Sequence, residues 1–351
     1  MPRLGTSIRT ITALAIAAAV AVTAAGAASA KRATTLNGAG STLIAPALAV
    51  WGPAYSKTSG TEVNYSGIGS GGGIAAITAK TVDFGASDAP LNPDQAAACS
   101  DCVQIPWALS ATVPTYNIPG LHSGQLKLDG TTLAKIFLGQ ITKWNDPAIA
   151  SLNKGTSLPD LAITVAHRSD GSGDTYAFTD YLSKVSSAWA SQVGPAATAV
   201  NWPTGVGGKG NPGVAAIIAS TPGAIGYISV AYVKQNKLNW TRMKNAAGNY
   251  VLATGPAIEA AAQTVKSVPP DNKMSIVNPP SSSKYKGAWP LSTFTYVIVH
   301  TSSTQAQALR KFIFWALTPK AQHLISNSFL VFAPIPKVVL VAAEKTLAKV
   351  H

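Results

Sequence analysis

Residues 168–175 read Arg168-Ser169-Asp170-Gly171-Ser172-Gly173-Asp174-Thr175 and run straight into the apolar-periodic stretch Tyr176, Phe178, Tyr181, Leu182, Val185. These residue types suit a small anion. Glycine lets backbone approach a ligand closely, a helix starting here leaves its first N–H groups unpaired, and arginine presents a planar fork of donors. An ordinary N-capped loop has the same composition, so the segment alone does not decide. Two upstream stretches repeat the device, Gly38-Ala39-Gly40-Ser41-Thr42-Leu43 and Gly67-Ile68-Gly69-Ser70-Gly71-Gly72-Gly73, each followed by a helix-like run. Three such turns could aim their N–H groups and hydroxyls at one tetrahedral anion. Two fall in the first part of the chain and one beyond it, as expected of two lobes closing on a ligand.

Selectivity falls on Asp88. Val82-Asp83-Phe84-Gly85-Ala86 reads as a strand ending on Ser87-Asp88-Ala89-Pro90, so the carboxylate sits at a strand terminus, where ligand groups collect. A buried carboxylate only accepts hydrogen bonds. It tolerates an oxyanion that brings a proton, such as monohydrogen phosphate, and repels one without, such as sulfate. The alternative role for Asp88 is a turn cap before Ala89-Pro90.

The elements that must position these groups alternate between strand and helix. A helix-like stretch holds Pro46, Leu48, Val50, Trp51 and Tyr55, with Gly52-Pro53 expected to kink it or delay its start. Strands are expected over 62–65, 82–86, 104–116, 163–166, 224–229 and 294–299. Helices are expected over 74–79, 131–138, 147–152, from the third turn to about Trp189, over 214–219, around Ala308, Phe312, Trp315 and Ala316, and over 338–349. The Pro/Ser/Lys-rich segment 253–287 reads as surface chain. This alternation predicts an α/β protein with mostly parallel sheets.

The first thirty residues stand apart. Arg3 and Arg9 precede an apolar run from Ile11 to Ala25, and Ala28-Ser29-Ala30 is a small-x-small site, together the pattern of a secretory signal peptide cut before Lys31. An uncleaved membrane anchor is the competing reading, which the alanine-rich core disfavours. With no cysteine near the cleavage site to carry a lipid, the mature chain is expected to be soluble in the periplasm or outside the cell. About 320 mature residues exceed one ordinary core, which favours a two-lobed body. At 47% hydrophobic and 12% charged the chain can bury a large interior. Its formal charge of +13 favours anionic partners. The lysines are scattered and form no basic stripe with interleaved aromatics, so no nucleic-acid role is expected. Cys99 and Cys102 form a lone C-x-x-C, read as a local disulfide because two thiolates without further Cys or a nearby His cannot complete a zinc site.

The three turns, together with Val82–Pro90, Gly207-Gly208-Lys209-Gly210-Asn211, Pro222-Gly223-Ala224-Ile225-Gly226-Tyr227 and Ala288-Trp289-Pro290, resemble in order and over nearly the whole mature chain the PstS family, phosphate-binding proteins that feed an ABC transporter. That resemblance implies a two-lobed periplasmic-binding-protein fold of type II with a two-strand hinge. One lobe would join residues 31–115 with 291–351, and the other would span 116–290. It implies phosphate contacts from Thr42, Leu43, Ser70, Asp88, Arg168, Ser172, Gly173 and Asp174, with Asp170 holding the Arg168 fork. It further implies a monomer that delivers phosphate to membrane permease subunits, using neither cofactor nor metal.

Two positions depart from the family. Leu43 stands where an aromatic is frequent, although the contact there is a backbone N–H. Asp174 stands where Thr is frequent. It is expected either to accept a second P–OH, the reading preferred from sequence, or to pair with Arg168 or a helix N-terminus.

Two other functions are open to these residues. A hydrolase would use Ser172 with His167 and Asp170, but neighbours on one strand-to-loop turn rarely meet the geometry of a triad, and no metal spacing for a phosphatase appears. A basic, non-specific anion- or surface-binding protein would show steep salt dependence and no preference between phosphate and sulfate. Sulfate, molybdate and tungstate receptors are the nearest competitors among binding proteins, and the acceptor at Asp88 argues against them because those anions arrive without protons.

Overall fold

The computed structural model describes residues 34–326 and 329–351; the signal-peptide reading of 1–30 lies outside them. The described residues form one compact unit. Its chain opens with three strand–helix steps, β1 (Thr35–Gly40), α1 (Ala45–Ser59), β2 (Glu62–Gly67), α2 (Ser70–Thr78), β3 (Phe84–Ser87) and α3 (Pro93–Ala98). The long strand β4 (Cys102–Tyr116) follows.

Beyond β4 come β5 (Lys127–Leu128), α4 (Gly130–Phe137), α5 (Pro147–Leu152), β6 (Thr164–Arg168), α6 (Gly173–Val185), α7 (Ser187–Gln192), β7 (Val206–Gly208), α8 (Gly210–Ser220), β8 (Ala224–Ser229) and α9 (Val230–Gln235). The short strands β9 (Asn239–Trp240), β10 (Arg242–Lys244) and β11 (Tyr250–Val251) then lead to α10 (Gly255–Ala262). The chain closes with β12 (Ser292–His300), α11 (Ala306–Leu317), α12 (Pro319–Ser326) and α13 (Lys337–Leu347).

One path of pairing runs β2-β1-β3-β12-β4-β8-β6-β7, with β9 attached to β4. A separate small sheet orders β11-β10-β5. Strand β4 joins the two sides: Cys102 to Ala111 pair with β12, and Thr112 to Tyr116 pair with β8. The outer pairs β1/β2, β1/β3, β6/β7 and β6/β8 are parallel, as expected from strands separated by helices. The centre departs from the mostly parallel expectation. There β12 runs antiparallel to both β3 and β4, and β4 runs antiparallel to β8. The reason is the route of the chain, which passes between the two sides at β4 and returns into β12 in the opposite direction.

Three local expectations are corrected. Helix α1 continues through Pro53 without starting late. Pro53 and Ala49, whose carbonyl loses its partner four residues on, both lie on the exposed face, where water can take that bond. The helix after the third turn ends at Val185, because Ser186 is extended and its hydroxyl accepts the Trp189 N–H to start a new helix. The segment 253–287 is not all surface chain. Thr254 caps α10 by accepting the Ala257 N–H, a proline follows in the first turn, and Ala257, Ile258, Ala261 and Ala262 are buried.

Each side of the sheet has an aromatic centre. On one, Trp107 of β4 meets Trp51 edge-on at 5.5 Å and packs against Phe84 and Phe312 at 6.1 and 6.2 Å between centroids. On the other, Phe178 stacks on Tyr227 at 4.3 Å and lies 4.6 Å from Phe137. Both belong to one continuous buried core. Cys99 and Cys102 form a disulfide. The expectation that no histidine approaches them is corrected: β12 places His300 directly opposite Cys102. Replacing the fully buried Trp107 by Ala is expected to destabilise the protein by about 3–5 kcal/mol, read from urea unfolding, since it empties the space between three other rings.

Candidate functional site

The groups singled out from sequence converge at the carboxyl ends of parallel strands and the amino ends of the helices that follow. Strand β1 ends at Gly40, β3 at Ser87 and β6 at Arg168. Pairing Gly40 with Ala86 puts Ser41 beside the end of β3, where its N–H donates to the Ala86 carbonyl at 2.8 Å. Ligands of open α/β sheets collect at such ends, where helix N-termini leave donors free.

Two interlocking networks fill this region. In the first, Ser41 Oγ donates to Asp88 Oδ2 at 2.5 Å and accepts the Leu43 N–H at 2.9 Å. Ser70 Oγ accepts the Asp88 N–H at 3.2 Å and, from the other side of the molecule, the Gly173 N–H at 3.0 Å. Its own proton is thereby directed at Asp88 Oδ2, 3.5 Å away. Asp88 Oδ1 is buried and has no hydrogen-bond partner.

In the second network Arg168 is held by two carboxylates. Its Nε and Nη2 donate to Asp170 at 2.7 and 2.6 Å in a bidentate fork, and its Nη1 reaches Asp174 Oδ2 at 3.3 Å. Asp174 is otherwise saturated, taking Thr112 Oγ1 at 2.6 Å on Oδ1 and Asn211 Nδ2 at 2.7 Å on Oδ2. Of the two roles open to Asp174 in sequence, this geometry matches pairing with Arg168. Asn211 also donates to Thr42 Oγ1, from Nδ2 at 2.8 Å and from its backbone at 3.2 Å, and its Oδ1 accepts the Ser229 N–H at 2.7 Å.

The two sides touch backbone to backbone at the turns. Gly71 N–H donates to Gly171 O at 2.9 Å, and a Cβ on either residue would lie 3.1 Å from the Cα of the other. A Cβ on Gly173 would sit 2.4 Å from that of Asp88, so only glycine brings the start of α6 against this carboxylate. Ser172 caps α6, its Oγ accepting the Thr175 N–H at 3.2 Å. His167 stacks on Trp202 with centroids 4.9 Å apart, and its Nδ1 lies 3.1 Å from the Arg168 carbonyl. No hydrogen bond joins Ser172 to His167 or Asp170 among the described residues, so the arrangement lacks the contacts of a triad.

Charge is unbalanced here, with one guanidinium among three carboxyls. Burial, reinforced by the neighbouring Asp174 carboxylate, pushes Asp88 up to about 7, against the pull of the Ser41 and Thr295 hydroxyls and of Arg168. Burial also raises Asp174, against Arg168, Thr112 and Asn211. For Asp170 the fork from Arg168 outweighs burial, and its carboxyl is lowered. Burial and Asp174 thus favour the protonated form of Asp88 over a wider pH range than for a free carboxyl.

Sequence reasoning overlooked four contributors, Ser41, Thr112, Asn211 and Thr295. Ser41 stood inside the first turn and Asn211 inside a quoted glycine-rich stretch, so both were within reach of a reading that asked what each polar side chain bonds. Thr112 was visible only as a hydroxyl in an apolar strand. Thr295 owes its place to register, since Tyr296 pairs with Ser87, the residue before Asp88.

This fold, with its ligand-type groups gathered where two halves of a sheet meet, is that of a substrate-binding module, and residues 25–320 match the family model of a PBP superfamily domain. More narrowly, the chain belongs to the PstS family of phosphate-binding proteins. It is 42% identical over 312 residues to the phosphate-binding protein PstS of Pasteurella multocida, covering 88% of each chain. It is 37% identical over 305 residues to PstS of Methanocaldococcus jannaschii, covering 78% of this chain and 76% of that one. Among solved structures, a phosphate-bound putative phosphate ABC transporter substrate-binding protein from Clostridium perfringens shares the fold, with a TM-score of 0.63 at 17% identity over 86% of this chain and all of that one. So does a high-affinity periplasmic phosphate-binding protein (PfluDING), with a TM-score of 0.70 at 22% identity over 89% and 93%.

The raised pKa of Asp88 fixes the sign of a stability effect. The folded chain holds this proton to a higher pH than the unfolded chain, so the group's contribution is greatest below about pH 4 and is lost as pH rises towards about 7. Urea unfolding of the phosphate-free protein is expected to show this decline, and Asp88→Asn is expected to flatten it. Parallel pH profiles for the two proteins would contradict the assignment.

Proposed function

We propose that this chain binds inorganic phosphate between its two halves and hands it to the permease of an ABC transporter. The observation that carries the reading is Asp88 Oδ1, a buried acceptor that makes no hydrogen bond here although the unpartnered Thr295 hydroxyl lies near it, set among helix N-termini beside Arg168. A phosphate P–OH supplies the missing donor. The hydroxyls of Thr42, Ser70 and Ser172 and the backbone of Leu43, Gly173 and Asp174 supply donors to the remaining oxygens once phosphate displaces the internal bonds that engage them here, Leu43 N–H to Ser41 Oγ, Gly173 N–H to Ser70 Oγ and Ser70 Oγ to Asp88. Arg168 supplies positive charge. Asp170 and Asp174 hold its plane, and Asp174 serves as an anchor for the arginine and Asn211 in preference to a second acceptor.

An anion entering this place adds charge to a region already rich in carboxylates, so it is tolerated only if it brings a proton. That requirement favours phosphate over sulfate by leaving sulfate an oxygen against an oxygen. The names of the Pasteurella and Methanocaldococcus relatives support phosphate as the ligand.

In this reading residues 31–115 with 291–351 form one lobe and 116–290 the other. The crossings at β4 and before β12 act as the hinge, and the contacts Gly71–Gly171, Ser70–Gly173 and Thr42–Asn211 lock the closed form. Among the described residues no helix is long and apolar enough to cross a membrane. A chain exported by its first thirty residues and acting as a monomeric, non-catalytic carrier in the periplasm fits the binding-protein role. The saturated bonds of Asp170 and the cap role of Ser172 weigh against a hydrolase.

Isothermal titration of phosphate-free protein is expected to give tight one-to-one phosphate binding and no sulfate heat. Asp88→Asn, whose amide can donate, is expected to narrow the phosphate-over-sulfate preference by about ten- to a hundredfold. Equal binding of both anions by the unmodified protein would overturn the proposal and favour a non-specific basic surface.

A further inference from the structure

Far along β4 from the anion site, the disulfide loop gathers a second set of chemically capable groups. Cys99, Asp101, Cys102 and His300 each offer a ligand atom, and these atoms all lie within 4.8 Å of one another. They come from two distant segments, a tight turn in which the Cys102 N–H donates to the Cys99 carbonyl at 2.8 Å, and the end of β12. The turn is tied to β12 again by the Thr301 N–H, which donates to the Asp101 carbonyl at 2.8 Å.

The bonding of His300 is the informative part. Its Nε2 lies 2.8 Å from the Ile77 carbonyl, which can only accept, so this nitrogen carries a proton. In the neutral ring Nδ1 then presents a lone pair. That lone pair faces both oxygens of Asp101 at 2.9 Å and the two sulfurs, with Cys102 Sγ at 3.7 Å and Cys99 Sγ at 3.9 Å. Acceptors thus converge on one point, and something positive must lie among them, either a proton on Nδ1 or a metal cation. A ring nitrogen aimed at such a cluster while the other donates to a backbone carbonyl is the arrangement that orients metal-bound histidines.

The separations of His300 Nδ1 from the two sulfurs suit a small tetrahedral ion, provided the sulfurs move apart on reduction. Zinc bonds of about 2.3 Å to sulfur and about 2.0 Å to nitrogen place sulfur and nitrogen about 3.6 Å apart on a tetrahedron's edge. The C-x-x-C spacing is that of zinc knuckles. In the disulfide the two sulfurs are bonded to each other and cannot act as thiolates.

We propose that the reduced Cys99/Cys102 loop is a redox-gated site for a divalent cation of the zinc class, ligated by both cysteine sulfurs and His300 Nδ1, with Asp101 as fourth ligand. Opening it takes two electrons and two protons from a dithiol or phosphine reductant, giving two thiols. Metal binding displaces those two protons as the thiolates coordinate. Reoxidation by a disulfide oxidant re-forms the S–S bond by thiol–disulfide exchange, reduces the oxidant to two thiolates with the two electrons given up, and releases the metal. Ile77, the partner of His300 Nε2, lies in the last turn of α2, the helix whose first residue is Ser70.

The test uses the full chain, made metal-free, reduced with a phosphine under inert gas and titrated with cobalt(II). A one-to-one complex is expected, with thiolate-to-cobalt charge-transfer absorption and the intense visible bands of tetrahedral cobalt, both erased by zinc. His300→Ala is expected to weaken binding at least about tenfold, and the disulfide form is expected to give neither band. Absence of charge-transfer absorption in the reduced protein would overturn the proposal, as would identical spectra from the disulfide form. Should His300→Ala fail to fold, zinc-edge X-ray absorption of the unmodified reduced protein decides. Two sulfurs and an imidazole shell uphold the site, and a shell of light atoms alone overturns it.

Discussion

One buried guanidinium shared among three carboxyls sets the terms for everything around it. Arg168 is fixed by Asp170 on one edge and Asp174 on the other, while Asp88 lies close enough to Asp174 to feel its charge. Burying so many acids near one base is costly unless each oxygen is hydrogen-bonded or protonated. Thr112, Asn211 and the Arg168 fork satisfy Asp174 and Asp170. Of the three carboxyls, Asp88 is the one with an oxygen that makes no hydrogen bond, the neighbouring Thr295 hydroxyl being likewise without a partner. With Asp88 ionised, the same concentration of carboxylates makes the region hostile to an anion lacking a proton.

The rest of the architecture serves that arrangement. Parallel strand ends deliver Ser41, Asp88 and Arg168 to one line, and the antiparallel centre of β4 and β12 lets two chain segments join the halves. Thr112 lies where β4 changes partner from β12 to β8 and bonds Asp174, which ties the crossing strand to the charged network. Asn211 plays the matching part between Thr42 and Asp174. Glycines at 71, 171 and 173 remove the side chains that would keep the two faces apart.

Much of this was legible in the residues because it is local. A glycine-rich turn followed by an apolar-periodic run predicts a helix start, and a short apolar strand ending in Ser-Asp predicts a carboxylate at a strand terminus, where ligand groups collect. The Asp170 fork spans only two residues. What the sequence did not disclose depends on pairing between distant segments: Thr112 with Asp174, Asn211 with Thr42, Thr295 beside Asp88, and His300 opposite Cys102. Those contacts are set by strand register and by the crossing at β4, which no local pattern encodes. Pro53 shows the converse. A strong local rule against helix interiors yields where the proline and the carbonyl it leaves unpaired both face solvent.

The most direct test of the proton requirement is the affinity for monofluorophosphate compared with phosphate at pH 8, by competition titration. The two dianions have similar size and charge, but fluorine replaces the P–OH and leaves no donor for Asp88. Binding weaker by about a hundredfold or more is expected, as for a buried acceptor left facing an acceptor. Equal affinity would contradict the role assigned to Asp88 and with it the basis proposed here for selectivity.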